Sequence, residues 1–368
     1  MNDTRDKSNP SRPKGLTRRQ FALGSAAAAA ALPFAASPFR AFGASNRPVT
    51  FASFGGYYNE TIDKTIIQPF QKETGINVRM ASNTSLASLK GQINANAIQW
   101  DIAELTGSEF QIAKQQKIPL EPLDFDIIRT ENIPDYAIDD YGIKYAFFLE
   151  VMAWNRKQIA TPPKTWAEFF DPEAYQATRS LYTTLSDSML LEFALIADGV
   201  ALDQLYPLDV DRALAVLSQL PPEQILWYET NQQVIQQMQS GQSDLGMPFT
   251  GRIRVANQGG ADIGHTANQG GATGDYLVIP KGAPNAKQAM KLIDFICNDG
   301  PSAAAFMRAT YYGLSNKKAI SLLDDELAQQ VPTSPALQDT IFRKDDAWWA
   351  ENLDRVTQQF RGWQVLHA

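Results

Sequence analysis

The sequence predicts an α/β protein of two lobes, preceded by an N-terminal segment of a different kind. Two observations predict the class: strand-like and helix-like apolar patterns alternate over residues 49–105, and the alternation resumes over residues 225–297. Length is the third observation, because the 324 residues beyond residue 44 can form two lobes with cores of their own.

The first alternation has the order βαβαβ. Gly55-Gly56 ends the first predicted strand, and Gly75 stands where the C-terminal cap of the first helix belongs. The predicted elements are strands at 49–54, 76–80 and 100–105 and helices at 62–70 and 86–98. This order favours a parallel sheet with helices on both faces, and ligands of such sheets collect at the carboxyl ends of the strands.

A long apolar and aromatic run at residues 145–154 separates the two alternations. It is longer than a typical strand of about five or six residues. The run therefore suits a strand that passes from one lobe into the other. A single bent strand in one large sheet is the alternative interpretation.

The second alternation predicts further strands and helices toward the C-terminus. Two Asn-Gln-Gly-Gly stretches, 257–260 and 268–271, are predicted as loops shaped by their Gly pairs. The only cysteine, Cys297, lies in a predicted helix, where a thiol is normally core packing, and one thiol excludes an internal disulfide. The predicted elements are strands at 225–229, 245–249, 261–266 and 276–279 and helices at 232–238, 286–297 and 345–363.

Residues 1–44 are typical of a twin-arginine signal peptide. Arg18-Arg19 precedes Gln-Phe-Ala-Leu and then an Ala-rich stretch, 24–36, which is too short and too weakly apolar to span a bilayer stably. A buried Ala-rich helix is the alternative. The small residues Ala41 and Gly43 predict cleavage after Gly43, and the absence of a nearby cysteine argues against a lipid anchor. We therefore expect export to the periplasm.

Charge and motif content exclude several functional classes. The chain carries −7 and residues 1–44 carry +5, so the exported part carries −12, which disfavours nucleic acids and anionic membranes as partners. Only two histidines occur, His265 and His367, and we find no Gly-x-Ser-x-Gly, His-Glu-x-x-His or phosphate-loop motif. We expect no enzymatic activity, no cofactor and no metal.

Four stretches carry a resemblance to a known family. They are 141–145 leading to Trp154-Asn155, 165–172 with its Thr-Trp-Ala-Glu helix start, 241–247, and 274–280 followed by 285–295. From residue 45 onward the chain resembles the periplasmic solute-binding proteins of ABC importers, in the branch that includes the spermidine/putrescine-binding proteins.

The resemblance implies a type II periplasmic-binding-protein fold, with two α/β lobes joined by crossing strands around a ligand cleft. We expect lobe 1 at 45–151 plus 270–315 and lobe 2 at 152–269 plus 316–368. The implied partners are a small-molecule solute and the transmembrane subunits of an ABC permease. We expect the binding protein itself to be a monomer.

In polyamine-binding relatives, carboxylates pair with the amines and aromatic rings enclose the methylene chain. Asp275 matches their amine-binding acid, with a surface acid as the alternative. Phe249, just before Thr250-Gly251, stands where a cleft Trp is common, and we include Thr250 in the site. Tyr57 and Tyr58 follow Gly55-Gly56 and are placed to cover the ligand. Each of these aromatic residues could instead serve only the core or the loop.

The chain departs from the polyamine binders at several positions. Ser186 and Met189 stand where those proteins carry acids for a second amine, with Asp187 adjacent, and Thr273 replaces a Trp.

The charge of Arg252 is a further departure, because a second cation would repel a polyamine. An arginine suits a carboxylate, which it holds by two parallel hydrogen bonds. The sequence therefore predicts a small ligand with an amine, which is either polyamine-like or a zwitterion bound by Arg252 and Asp275 together. Glu150, within the apolar run, either holds an amine in the cleft or is a salt-bridged strand residue.

Two other functions remain open at this point. One is a binding protein of the same fold for an anion or ferric ion, for which Tyr311-Tyr312 could supply ligands. The other is an exported enzyme on the same scaffold.

Overall fold

The structure is a computed structural model that describes residues 47–186 and 188–367. The predicted signal peptide and its cleavage after Gly43 lie outside the described residues. Within the two described ranges, no helix combines the length and the hydropathy that a bilayer crossing requires.

One sheet of eleven strands runs through the described part of the chain. Its main path has the order β2-β1-β3-β9-β5-β8-β6-β7, while β4 and β10 pair with β5 and β11 pairs with β9. The strands are β1 (Val49–Ala52), β2 (Val78–Ala81), β3 (Ile102–Thr106), β4 (Ile138–Asp139), β5 (Gly142–Asn155), β6 (Arg179–Tyr182), β7 (Ile225–Tyr228), β8 (Leu245–Gly246), β9 (Ile263–Val278), β10 (Gly313–Leu314) and β11 (Phe342–Arg343).

The described helices flank this sheet and connect its strands. A π-helical turn, Asp63–Ile67, joins α1 to α2, and Gly75 ends α2 with a φ of 70°. The helices are α1 (Gly56–Ile62), α2 (Gln68–Thr74), α3 (Leu86–Asn94), α4 (Gly107–Gln115), α5 (Trp166–Phe170), α6 (Leu190–Ala197), α7 (Val210–Leu217), α8 (Asn231–Ser240), α9 (Thr250–Gln258), α10 (Ala286–Asn298), α11 (Gly300–Thr310), α12 (Lys317–Ile320), α13 (Asp325–Ala328) and α14 (Asp346–Leu366).

The first three strands form the parallel arrangement that their βαβαβ order predicts. β1 pairs parallel with both β2 and β3, and every residue of β1 is buried. A strand buried on both faces is expected where helices cover both sides of a parallel sheet. The predicted βαβαβ unit is confirmed, although α3 ends at Asn94, before the predicted end at residue 98.

The long apolar run forms β5, which pairs antiparallel with the still longer β9. The pairing extends from Gly142 opposite Val278 to Asn155 opposite Ile263. At one end of this pair β3 attaches to β9, and at the other end β8 attaches to β5. The two strands therefore connect the two ends of the sheet.

One loop prediction is wrong. Residues 268–271 do not separate two strands, because β9 continues through them with a bulge: Glu150 lies opposite Gly271, whereas Met152 lies opposite Thr266. A Cβ at Gly271 would lie 2.4 Å from the Met189 sulfur and 2.7 Å from the Phe342 ring. Because Gly271 has no side chain, Met189 and Phe342 can pack closely against β9 at this position. The other stretch, 257–260, does form the turn that ends α9.

Several helix predictions toward the C-terminus are confirmed. The Thr165 side chain accepts the backbone N–H of Glu168 at the start of α5, as expected of the Thr-Trp-Ala-Glu start. Asp345 caps α14 in the same way. Cys297 is buried in α10. The predicted strand at 245–249 is shorter than expected, since β8 ends at Gly246.

Substitution of Gly271 tests whether residues 268–271 are packed strand or free loop. Gly271→Ala should lower the free energy of unfolding by about 1–3 kcal/mol, because its methyl group meets Met189 and Phe342. Gly362→Ala is the control: apart from the backbone of its own helix, no atom of the described residues lies within 4 Å of a Cβ there, and alanine should add about 0.5–1 kcal/mol in the helix. Urea unfolding measures both, and unchanged stability of Gly271→Ala would contradict the packed strand.

Candidate functional site

A cavity of about 250 Å³ opens beside the point where β3 ends and α4 begins. It lies near the small end of the usual range for small-molecule sites, about 300–1,000 Å³. The residues that line it come from loops, helix starts and the β5–β9 pair: Phe54, Thr106, Gly107, Ser108, Phe148, Ser186, Asn231, Phe249, Arg252, Thr273, Asp275 and Tyr312.

Two helices begin at the cavity directly after strand segments. Thr106 ends β3, and its hydroxyl accepts the N–H of Glu109 while the Glu109 carboxylate accepts the N–H of Thr106. This capping box holds the first turn of α4 at the cavity wall. Phe249 directly precedes α9, three residues after the end of β8, and gives that helix no side-chain cap. The site therefore lies at the carboxyl edge of strands, where the topology predicts it.

Arg252 and Asp275 line this same cavity from different elements. Asp275, on β9, is only 6 % exposed and lies opposite Thr106 in the pairing with β3. Arg252, in the first turn of α9, is exposed and lies beside the Tyr312 hydroxyl. The structure thus brings a positive and a negative side chain to one small cavity, and their roles as ligand contacts stay a prediction.

Aromatic rings form an apolar wall of the cavity. Phe148 packs edge-on against Tyr312, with ring centroids 4.6 Å apart, and against Phe249 at 6.1 Å. Phe249 is 8 % exposed, so it both packs and lines the site. Tyr58 supports this wall from behind, with its ring 6.2 Å from both Phe148 and Tyr312.

Tyr57 and Tyr58 lie beside the main cavity and do not line it. Both border a small side cavity of about 20 Å³ together with Arg252 and Tyr312. Tyr57 is half exposed, and its hydroxyl donates to the Ala309 carbonyl at 3.2 Å. The Tyr58 hydroxyl donates to Glu104 Oε1 at 2.9 Å. Both rings therefore lie next to the main cavity, and their covering of a bound ligand stays a prediction.

Other predicted site residues fall in different places. Thr250 is 5 % exposed and does not line the cavity, and its hydroxyl has no hydrogen-bond partner among the described residues. Asp187 lies outside the described residues. Ser186 and Thr273, which the sequence analysis named as departures from the polyamine binders, both line the cavity.

Tyr311 and Tyr312 are not brought to one place. Tyr312 lines the cavity, whereas the ring of Tyr311 packs under the Arg254 guanidinium at 4.4 Å. The adjacent pair that a ferric site would use is thus divided between two environments.

Glu150 lies behind the cavity wall, not in it. It is 1 % exposed, and its carboxylate accepts the Ser188 hydroxyl at 3.0 Å and the Met189 N–H at 2.7 Å. Burial raises the pKa of Glu150 to about 8, although these hydrogen bonds and nearby Lys344 oppose the rise. Neither interpretation from the sequence, a cleft amine ligand or a salt-bridged residue, describes this contact.

Lys344 holds the same wall segment from behind. Its ammonium, on a residue only 6 % exposed, donates to the Ser186 carbonyl at 2.8 Å and to the carbonyls of Leu185 and Ser188 at 3.3 Å. Glu150 and Lys344 therefore hold the wall segment, which consists of Leu185, Ser186, Ser188 and Met189, and Ser186 lines the cavity.

Sequence reasoning missed Phe148, the start of α4 and Glu104. Glu104 is fully buried, and burial raises its pKa to about 7. Its signal in the sequence was a single acid in an apolar strand, the same anomaly that drew attention to Glu150. Phe148 lay in a run where several aromatic residues alternate, and only strand pairing decides which of them faces the site.

Comparisons with known proteins agree with this architecture. A sequence model of the family described as bacterial extracellular solute-binding protein matches residues 65–337. The gamma-aminobutyric acid-binding protein of Pseudomonas aeruginosa is 27% identical over 328 residues, which cover 87% of this chain and 92% of that protein. The spermidine/putrescine-binding periplasmic protein of Escherichia coli K12 is 26% identical over 296 residues, which cover 76% and 82%.

Solved structures share the two-lobe fold. The Atu4243-GABA receptor superimposes with a TM-score of 0.79 at 29% identity, covering 88% of this chain and 99% of that one. An ABC transporter substrate-binding protein from Bradyrhizobium japonicum USDA 110 gives 0.80 at 30% identity, covering 86% and 99%. The predicted resemblance and fold class are confirmed.

Ionisation of Glu150 should make the free energy of unfolding depend on pH. The folded chain keeps this proton up to about pH 8, whereas an unfolded carboxyl loses it near pH 4.5. Raising the pH from 5 to 8 should therefore lower the free energy of unfolding, by at most about 1.4 kcal/mol per pH unit from this group. Glu150→Gln cannot ionise, so its unfolding free energy should fall less steeply with pH.

Denaturant unfolding at several pH values measures the difference between the two slopes. Glu229→Gln, at an exposed acid, is the control and should keep the wild-type slope. Equal slopes for Glu150→Gln and wild type would show that Glu150 is ionised throughout in the folded chain.

Proposed function

The chain belongs to the bacterial extracellular solute-binding proteins, and from that premise we propose that it captures a small zwitterion for import by an ABC transporter. The proposed ligand carries an amine and a separate carboxylate, as γ-aminobutyrate does. One observation carries the proposal: Arg252 and Asp275 line a single cavity of about 250 Å³ together with aromatic rings.

The amine is assigned to Asp275. An ammonium group that leaves water needs an anion, and it gains further from nearby aromatic faces. Asp275 is a nearly buried acid, and Phe148, Phe249 and Tyr312 line the same cavity. The names of relatives that bind γ-aminobutyrate or polyamines support a ligand with an amine.

The carboxylate is assigned to Arg252. A guanidinium holds a carboxylate by two parallel hydrogen bonds, and it repels a second ammonium. Ser186 and Thr273 are uncharged at the positions where polyamine binders would place further ligand contacts. These features favour a zwitterion over a diamine.

The two charges also provide a means of closing the cleft. With the expected lobe boundaries, Asp275 belongs to lobe 1 and Arg252 to lobe 2, so a ligand held by both residues favours the closed state. α9 approaches residues 310–312 closely: a Cβ at Gly251 would lie 2.3 Å from the Thr310 carbonyl and 2.4 Å from the Tyr312 ring.

The location and partners follow from the same proposal. Arg18-Arg19 and the Ala-rich stretch after it support export by the twin-arginine route into the periplasm, and a relative is named periplasmic. There the protein, as a monomer without enzymatic activity, would deliver its ligand to the transmembrane subunits of an ABC permease.

A matched set of ligands tests the proposal. γ-Aminobutyrate should bind at least about tenfold more tightly than butyrate, which lacks the amine, or putrescine, which replaces the carboxylate by a second amine. Butyrate cannot form the charge-assisted hydrogen bonds of the amine, and putrescine cannot form those of the carboxylate. Each loss is worth about 1.5–3 kcal/mol. Calorimetry on ligand-stripped protein measures the three constants. Tighter binding of putrescine than of γ-aminobutyrate would reject the zwitterion.

Substitutions test which residue binds the carboxylate of the ligand and which residue binds its amine. Arg252→Gln should weaken γ-aminobutyrate binding about 10- to 100-fold and reduce the discrimination against putrescine, and Asp275→Asn should weaken both amines. Arg254→Gln is the control, since Arg254 lies on the same helix outside the cavity lining. If Arg252→Gln and Arg254→Gln changed the affinity for γ-aminobutyrate equally, the assignment of Arg252 to the binding site would be wrong.

A further inference from the structure

Glu104 lies directly behind Asp275. Thr106 on β3 is opposite Asp275 on β9, and Glu104 is two residues earlier on β3, so it projects from the same face of the sheet. Diagonal neighbours of this kind are within reach of a long side chain. The Glu104 carboxyl indeed lies beside Asp275 and Ser53, and Glu104 is not part of the cavity lining.

The two carboxylate oxygens of Glu104 differ in the number of hydrogen bonds that they accept. Oε1 accepts the hydroxyls of Tyr58 at 2.9 Å and Tyr145 at 2.7 Å, whereas Oε2 is buried without a hydrogen-bond partner among the described residues. A buried oxygen without a partner is costly when it is charged. A proton on Oε2 removes that charge and lets the carboxyl lie next to a second acid.

Among the described residues, the titratable groups that face Glu104 are Tyr58 on α1, Tyr145 on β5 and Asp275 on β9. Neither His265 nor His367 lines the cavity. Tyr312 lies beside Asp275, and burial raises the pKa of all three tyrosines above their usual value. A proton exchanged at this site near neutral pH therefore belongs to the two acids.

We propose that Glu104 and Asp275 form an acid pair that holds a proton in the empty cavity, and that an ammonium bound at Asp275 expels this proton to solvent. The inference rests on the proposed function, because it requires an amine at Asp275. Glu104 is a positioning residue in this scheme: it acts on the ligand through the charge of Asp275.

The sign of the coupling follows from charge. The ligand's positive charge favours the ionised pair, so binding releases a proton, and affinity rises with pH until the empty pair is already ionised. Burial raises the pKa of Glu104 to about 7 in the empty protein. The coupling should therefore be strong below pH 7 and absent well above it.

Calorimetry of γ-aminobutyrate binding in buffers of different ionisation enthalpy counts the protons. In wild type at pH 6.0–6.5 we expect release of up to one proton per ligand. The dissociation constant should rise by up to about tenfold per pH unit on lowering the pH below 7. Glu104→Gln should release no proton and should bind with a nearly constant affinity between pH 6 and 8.

Two further variants separate this coupling from a structural role. Tyr145→Phe removes a hydrogen bond that lowers the pKa of Glu104, so the midpoint of the pH dependence should move to higher pH. Glu192→Gln changes another buried acid, which the Tyr206 hydroxyl and the Trp349 indole contact outside the cavity, and should keep the wild-type proton release.

The outcomes distinguish this inference from the proposed function. Tight binding of γ-aminobutyrate by wild type with no proton release at pH 6.0–6.5 would overturn the acid pair alone, and so would undiminished release in Glu104→Gln. Failure of wild type to bind γ-aminobutyrate at every pH would overturn the proposed function and the pair with it. The wild-type proton count does not depend on whether any variant folds.

Discussion

Strands β5 and β9 pair antiparallel over nearly their whole lengths, and both ends of the sheet attach to this pair. The site depends on it directly. Asp275 lies on β9 and Phe148 on β5, while Glu150, also on β5, holds the wall segment that presents Ser186. Because backbone hydrogen bonds set the register, an error of one residue would turn each of these side chains to the opposite face. The geometry of the cavity is therefore a consequence of strand pairing.

Three buried glutamates lie outside the cavity lining, and the fold compensates for each in a different way. Glu104 meets two tyrosine hydroxyls, Glu150 meets a serine hydroxyl and a backbone N–H, and Glu192 meets Tyr206 and the Trp349 indole. Burial raises the pKa of all three. Asp275, by contrast, reaches the cavity itself, so it is the acid placed to meet a ligand. Glu150 holds the wall segment beside the cavity, and Glu104 lies next to Asp275.

The sequence predicts the parallel half of the sheet well, because apolar periodicity and Gly75 mark local elements. Prediction from the sequence fails where contacts between distant residues determine the local conformation. Residues 268–271 have the composition of a turn, but Met189 and Phe342 occupy the space around Gly271, and no local pattern reveals those contacts. In the site, the unusual charges of Arg252 and Asp275 could be predicted. Glu104 and Glu150 were equally unusual, but only strand register and burial tell which acid lies behind the wall.

In the closed, ligand-bound protein, Arg252 at the start of α9 and Asp275 on β9 hold opposite charges at one preferred separation. Affinities for an ω-amino acid series, from β-alanine through γ-aminobutyrate to 6-aminohexanoate, test it most directly. We predict one optimum length, with weaker binding on both sides, since Arg252 and Asp275 cannot both reach a ligand that is too short or too long. A steady gain with every added methylene, the behaviour of apolar burial alone at about 0.8 kcal/mol per group, would contradict the claim.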